Sequence, residues 1–167
     1  MTPLLAGLLH PLLVPMHVMA VLGLALLIGQ QGWGRSAVAV YVAAVLAGIA
    51  AIAGAFVPVR ADESLLTLAA FAGLLVALAW PLPRGLGWVL AAALGAALAL
   101  DSPPESISLR EANLTLAGTA LGLTIALMLL VLGASRLRLG WQRVGARILG
   151  SWIAASAILV LALRIVR

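Results

Sequence analysis

The two histidines of this chain are the residues whose type and spacing point most directly to chemistry. His10 and His17 lie seven residues apart in the first apolar run. On a straight α-helix, seven positions at about 100° each return to nearly the same face, and a rise of about 1.5 Å per residue separates them by about 10.5 Å along the axis. A chelating pair on a helix normally uses a spacing of four. The spacing of seven therefore favours two successive stations on a path, unless the helix is bent.

Two prolines in the same run predict such a bend. Pro11 and Pro15 lack the backbone N–H and clash with the preceding helical turn, so they free backbone carbonyl groups beside His10. Broken helices at membrane depth occur where they line a cavity or an ion site, and imidazole suits nickel, zinc, copper and iron. We therefore favour a metal or proton role for the two histidines over the alternative, in which both only form hydrogen bonds between helices.

Two acidic residues follow an apolar run that ends at Leu100. Asp101 and Glu105 are expected on the same side of the membrane as His10, where their carboxylates would gather a cation at an entrance. The alternative is a helix-ending turn with a solvated acid, for which the sequence Asp-Ser-Pro-Pro at 101–104 is typical. The predicted metal-ligating residues are His10, His17, Asp101 and Glu105.

Neutral side chains offer weaker ligands. Asn113, Thr115 and Thr119 would add oxygen atoms, or else form hydrogen bonds between helices. Met16 and Met19 suggest a copper(I) alternative, because thioethers are soft ligands. On a straight helix both methionines point away from the histidine face, and methionine in a membrane helix is usually an apolar filler.

The composition indicates that these residues lie within a membrane protein. Of the 167 residues, 65% are hydrophobic and 9% are charged, and the mean hydropathy is +1.22, whereas a soluble domain carries about 25% charged residues. These values exclude a soluble enzyme and a disordered chain. The net charge of +5 comes from ten arginines scattered singly against five acids, which argues against a nucleic-acid partner. The chain has no cysteine, so neither a disulfide nor a thiolate metal site is expected.

Six apolar runs are long enough to cross a bilayer of about 30 Å as helices. They are continuously apolar rather than alternating, which favours helices over barrel strands. The first lacks a basic segment before it and is too long for a signal peptide, so we expect it to be retained as a span. We predict an all-α integral membrane bundle in a single domain, 1–167, with short loops and a first helix kinked by prolines. The predicted spans are Leu4–Gly29, Ser36–Val57, Leu65–Trp80, Pro83–Leu100, Glu111–Ala134 and Val144–Val166.

The distribution of arginine predicts the orientation of this bundle. One side carries six arginines and no acid, with its densest block at 136–147, and the other carries four arginines and all five acids. Because short cytoplasmic loops are enriched in positive residues, we predict the 136–147 loop in the cytoplasm and both termini outside. The expected location is the inner (plasma) membrane of a bacterial cell. Binding of lipid headgroups or of a partner is the alternative reading of the arginine loop.

Small residues predict the faces on which the helices pack, because association in lipid depends on close approach. Gly118 and Gly122 lie four apart in the fifth run, and Gly150 and Ala154 lie four apart in the sixth. Four of the five tryptophans lie at predicted span ends, as indoles prefer the headgroup zone. Trp152 lies deeper, and we expect it to pack against another helix.

The first run resembles the first span of the HupE/UreJ family of nickel/cobalt permeases, which carries His-Pro-x-x-Gly-x-Asp-His-x-x-Ala-Met. The residues that match in register are His10, Pro11, His17 and Ala20. The residues that replace the family's Gly, Asp and final Met are Val14, Met16 and Val21.

The last run is also similar to that family, whose members end with Gly-Ser-Trp-x-x-Ala. Here the matching stretch begins at Gly150 and ends at Ala155. The family often carries a His-Gly-His-x-His-Gly stretch after its fourth span, where this chain has no histidine between Leu100 and Glu105. The resemblance covers nearly the whole chain and implies a six-span permease for nickel or cobalt.

The leading hypothesis is therefore a permease that moves nickel or cobalt into the cytoplasm, with the two histidines as ligands and the two acids as accessory groups. No Walker A motif is present, but a divalent cation gains about 4.6 kcal/mol on crossing 100 mV inward. Two alternatives stay open: a structural or accessory subunit of a membrane complex, and a channel for a small neutral solute such as urea or ammonia. No set of residues typical of an enzyme is present, and no covalently bound cofactor is expected. The expected partners are the lipid bilayer, the metal ion, and a second copy or a membrane subunit.

Overall fold

Apolar runs separated by glycine, proline and charged residues form helices in residues 2–54, 61–104 and 108–165, the part of the chain that the computed structural model describes. No strand occurs in this part of the chain, so the prediction of an all-α fold is confirmed. Its helices, in chain order, are α1 (Pro3–Leu13), α2 (Pro15–Gln31), α3 (Gly34–Ala53), α4 (Ala61–Leu78), α5 (Arg84–Leu100), α6 (Leu109–Ala134) and α7 (Gly140–Ile165).

Four of these helices, α3, α4, α6 and α7, are each long and apolar enough to cross a membrane. The pair α1 and α2 passes the same criterion together, although it is bent by 70°, and would be a fifth span. Helix α5 is apolar but only 17 residues long, at the lower limit for a perpendicular span. The residues described therefore have four to five helices of spanning character, typical of a multi-pass membrane protein, and the sixth span stays a prediction.

Local sequence explains where several helices end. Gly32 adopts the left-handed conformation (φ 66°) at the end of α2, and Gly34 (φ 60°) begins α3 after one intervening residue. Only glycine adopts this conformation without a steric cost, so the sharp connection depends on both. The hydroxyl of Ser108 accepts a hydrogen bond from the Glu111 N–H and caps the start of α6.

Helix α2 forms the centre of the bundle. It contacts every other helix, and it is buried nearly continuously from Ala20 to Ile28. Because a helix that is apolar on all faces is stable only when it is surrounded, this sequence favours the central position. Around it, the most extensive pairings join α4 to α7, α1 to α6 and α3 to α5. At the start of α2, His17 is buried while Pro15 and Val18 are exposed, so His17 lies on the inner face of this helix.

Glycine lies at the closest helix contacts, as the sequence predicts. A Cβ at Gly73 of α4 would lie 2.7 Å from the carbonyl oxygen of Gly150, and one at Gly150 of α7 would lie 2.8 Å from that of Gly73. At Gly118 and Gly122 of α6, a Cβ would collide with carbonyl oxygens of α1. The backbones touch at these points. Helices α1 and α7 can therefore take their positions only because glycine has no side chain.

The expectation for Trp152 is wrong. Its side chain is 67% exposed, because the buried stripe of α7 runs through Ala146, Ile153 and Ala157 and leaves position 152 on the outer side. Trp33 is the tryptophan that is buried instead: its ring lies over Gly87 of α5, where a Cβ would be 2.5 Å from the ring carbons.

Charged residues gather at opposite ends of the bundle, in the grouping that the sequence predicts. At one end, Arg164 of α7 forms an ion pair with Asp62 of α4. At the other end, Arg138, Arg143 and Arg147 lie around a common cavity with the last residues of α2. Which of the two ends faces the cytoplasm stays a prediction.

The end of α4 is strained and offers a test of its backbone conformation. Ala79 has a φ of 51°, and the left-handed conformation costs an L-residue about 1–2 kcal/mol. We expect Ala79→Gly to stabilise the protein by about 1 kcal/mol, measured as a rise in the thermal unfolding midpoint in detergent. The matched control is Ala77→Gly, two residues earlier inside the helix, which should destabilise it by about 1 kcal/mol. A lower midpoint for both variants would contradict the assigned turn.

Candidate functional site

The candidate site is built on a break between α1 and α2. Helix α1 ends at Leu13, Val14 is extended (φ −95°, ψ 112°), and α2 begins at Pro15. A residue before proline avoids the helical region, and proline is well suited to the first position of a helix, so Pro15 causes the break. Pro11 stays inside α1. The predicted bend is therefore present, and it occurs at Pro15 and not at Pro11.

The bend brings the two histidine rings together. Their ring centroids are 5.2 Å apart and the ring planes meet at 67°, whereas a straight helix would separate the residues by about 10.5 Å along its axis. Two separated stations are expected only on a straight helix, and the predicted bend brings the rings together instead. His10 and His17 form a single edge-to-face pair.

Asp101 is held against this pair from a distant part of the sequence. It caps the end of α5, where its N–H donates to the carbonyl of Ala97 at 2.9 Å. Its Oδ2 lies 2.9 Å from Nε2 of His17, 84 residues earlier in the chain. The side chain of His17 is 0% exposed and that of Asp101 12%. The sequence predicts Asp101 as an acid that gathers a cation at an entrance. In the structure its carboxylate instead contacts a histidine directly.

The contact with Asp101 places one ring nitrogen of His17 against a carboxylate. A carboxylate in its ionised form only accepts hydrogen bonds, and with that form Nε2 of His17 is the donor. In a neutral imidazole the other nitrogen, Nδ1, then has a lone pair and no proton. This Nδ1 is buried and has no hydrogen-bond partner among the residues that the structure describes. Such an atom costs about 1–3 kcal/mol and calls for an explanation.

A cleft of about 300 Å³ lies beside His10, and His17 is not among the residues that line it. It is lined by His10, by Thr115 and Thr119 of α6, and by the turn that begins at Ser102. The hydroxyl of Ser102 donates to the carbonyl of Leu98 near the end of α5 at 2.8 Å, and that of Thr119 donates to the carbonyl of Thr115 within α6 at 3.1 Å. Because a hydroxyl oxygen keeps lone pairs when it donates, both oxygens are free to accept from water or to contact a cation.

The remaining sequence candidates are placed less directly. Asn113 is exposed and is not part of the cleft lining. Met16 and Met19 pack against the apolar core, as expected for fillers. Glu105 lies outside the residues that the structure describes. Within residues 2–54, 61–104 and 108–165, no three His, Cys, Asp or Glu side chains form a group that could hold a metal ion.

Sequence reasoning missed two buried polar residues. Ser102 lines the cleft and is 4% exposed. Its position directly after Asp101 was the feature of the sequence that could have identified it as a site residue. Tyr41, the single tyrosine of the chain, is completely buried in α3, and its hydroxyl has no hydrogen-bond partner in the described residues. Its position in the middle of an apolar helix was the available signal, and we assign it no role.

No family model, curated protein or solved structure matches the chain. The resemblance to nickel/cobalt permeases therefore depends on the motif residues of the first and last apolar runs.

Proposed function

We propose that the protein is a six-span membrane permease that moves a divalent transition-metal ion, nickel or cobalt, through the site formed by His10, His17 and Asp101. The observation that carries the proposal is the buried Nδ1 of His17, which has no protein partner in the described residues while Nε2 is bound to a carboxylate. Histidines that bind metals usually donate their other N–H to a carboxylate or a carbonyl. The hydrogen bond between His17 and Asp101 has this arrangement.

The separation of the two rings also fits a shared ion. With a metal–nitrogen distance of about 2.1 Å, two imidazoles on one ion have ring centroids about 4.6 Å apart at the right angle typical of nickel and about 5.3 Å apart at a tetrahedral angle. The observed separation is 5.2 Å. Imidazole suits first-row divalent metals, and the oxygens of Ser102 and Thr119 would complete the ligand set together with water. In the HupE/UreJ motif an Asp directly precedes the second His, and here Asp101 would supply the carboxylate from α5.

Transport would follow from the broken helix and the charge distribution. The cleft would admit the ion at the end of the bundle where Asp101 lies, and we place this end outside the cell. A count of six spans takes α1 and α2 as one bent span and includes α5. With the arginine-rich end in the cytoplasm of a bacterial cell, the membrane potential would drive a divalent ion inward by about 4.6 kcal/mol per 100 mV.

Metal uptake by cells that express the chain tests the proposal. We expect accumulation of cobalt or nickel above that of cells with an empty vector, and a decrease of about tenfold or more for His10→Ala, because one of two nitrogen ligands is lost. Leu12→Ala is the matched control, since Leu12 lies in the same helix and is 59% exposed. Protein levels in the membrane are compared by immunoblot.

Four results would contradict the permease. Uptake equal to that of the empty vector would remove metal transport itself, and uptake that His10→Ala leaves unchanged would remove the metal site from the transport step. Flux of urea or ammonia that is independent of metal would instead assign the cleft to a neutral solute. Stable purification with a larger membrane partner and without metal would favour an accessory subunit.

A further inference from the structure

A second cavity lies at the opposite end of the bundle from the histidines. It has a volume of about 610 Å³ and lies between the ends of α2, α4 and α6 and the start of α7. Arg138, Arg143 and Arg147 line it together with Gln30 and Gln31. None of the described residues that line it is an Asp or Glu, so the cavity is strongly positive.

Several of its polar groups are held in place by the end of α4. Nε of Arg147 donates to the carbonyl of Ala77 at 2.8 Å. The amide of Gln30 donates to the carbonyl of Val76 at 3.2 Å, and that of Gln31 to the carbonyl of Trp80 at 2.5 Å. These bonds satisfy the carbonyls at the helix end, where the partial charge is negative. Arg147 therefore has a structural role at α4, and Arg138 and Arg143 are not needed for it.

Arg138 and Arg143 face the cavity without a counter-charge. Both are exposed, and neither guanidinium forms an ion pair with any residue that the structure describes. The start of α7 between them is fixed by Gln142, whose side-chain oxygen accepts from the N–H groups of Arg138 and Leu139 at 3.0 and 3.1 Å. The two guanidinium groups are thus attached to an ordered turn.

The cavity lies at the level expected for lipid headgroups. Trp80, two residues after α4, and Trp141, at the start of α7, are 61% and 73% exposed. Trp80 lies between Ala79 and Pro81, which line the cavity, and Trp141 lies two residues before Arg143, which also lines it. Exposed indoles gather at the membrane–water interface. Arginine forms paired hydrogen bonds with phosphate oxygens, and basic pockets between membrane helices bind anionic lipid headgroups.

We propose that this cavity binds a phosphate group, that of an anionic phospholipid, through Arg138 and Arg143. The proposal is independent of metal transport, because it concerns other residues at the other end of the bundle. It also differs from a simple topology signal. A topology signal depends only on charge in the loop, so Arg136 would serve as well as Arg138, whereas the cavity includes Arg138 and not Arg136.

Thermal unfolding of the delipidated protein in a neutral detergent tests this difference. Phosphatidylglycerol, phosphatidylcholine or inorganic phosphate is titrated at low salt, and native mass spectrometry counts the retained lipid. We expect phosphatidylglycerol to raise the unfolding midpoint more than phosphatidylcholine does. Its apparent affinity should fall about fivefold for each arginine removed in Arg138→Gln, Arg143→Gln and the double variant. Both side chains are exposed, so these variants are expected to fold, and Arg136→Gln is the control of equal charge.

The outcomes separate the possible sources of the effect. Stabilisation by phosphatidylglycerol that is lost in the cavity variants and kept in Arg136→Gln supports the proposal. Stabilisation by inorganic phosphate alone, with the same dependence on Arg138 and Arg143, supports the phosphate site but assigns it to a free anion. An equal loss in Arg136→Gln, or no stabilisation by either phosphate source, overturns the proposal.

Discussion

Replacing Asp101 with Asn is expected to weaken cobalt or nickel binding roughly 10- to 100-fold and to lower uptake accordingly. The side chain of Asp101 holds Nε2 of His17 at 2.9 Å, and loss of such an outer carboxylate reduces metal affinity by this amount. An amide in its place no longer enforces the proton on Nε2, because its nitrogen donates where the carboxylate only accepts. The buried Nδ1 of His17 would then no longer be held in the form whose lone pair is available to a metal ion.

The control for this variant lies at the same end of the bundle. Asp62 is also a carboxylate that contacts a basic side chain, since it forms an ion pair with Arg164 and accepts a hydrogen bond from the Glu63 N–H at 2.9 Å, but it is not part of the histidine cluster. Asp62→Asn removes the same charge and should leave uptake within about twofold, because exposed ion pairs contribute at most about 1 kcal/mol. Equal losses for the two variants would show that only the net negative charge at this end matters.

A double-mutant cycle shows whether Asp101 acts through His17. If it does, Asp101→Asn should have little further effect in a His17→Ala background, because residues of one network are not additive. Binding of cobalt to the purified protein is the measurement, so that protein level in the cell does not enter. Additive losses in the cycle would contradict a shared site and would assign Asp101 a separate contact with the ion.

Replacing Gly118 with Ala is expected to destabilise the protein by about 2–3 kcal/mol, because the new Cβ meets backbone that cannot move aside. It would collide with the carbonyl oxygen of Leu4 and lie 2.9 Å from the backbone nitrogen of Leu8. Overpacking of this kind costs about 1–3 kcal/mol. Helix α1 would move away from α6 and displace His10 from the cleft, so uptake should fall together with stability.

Helix α6 itself provides the control. Gly133 lies in the same helix, and a Cβ there would meet no atom within 4 Å. Since alanine favours a helix by about 1 kcal/mol over glycine, Gly133→Ala should stabilise the protein slightly. The same substitution thus has opposite signs at two positions of one helix, measured as thermal unfolding midpoints in detergent. A destabilisation at Gly133 equal to that at Gly118 would contradict the close α1–α6 contact.

The sequence alone determined the class of protein and the residues to examine. Continuous apolar runs predict helices because hydropathy is a local property, and the end of the fifth run at Ala134 agrees with the end of α6. The bend was also predictable, since Pro15 acts on its own neighbours. The two histidines were identifiable as candidates because imidazole is rare and costly in an apolar helix.

The tertiary structure alone decided how these residues meet. The 5.2 Å between the histidine rings depends on the 70° bend, and no spacing rule gives that angle. The bond from His17 to Asp101 joins residues 84 positions apart, and the arginine cavity combines the ends of four helices. These contacts depend on which helix faces pack together. In lipid, that choice follows from close approach of backbones at positions such as Gly118. The sequence shows where these small residues are, but it does not show which helix each of them contacts.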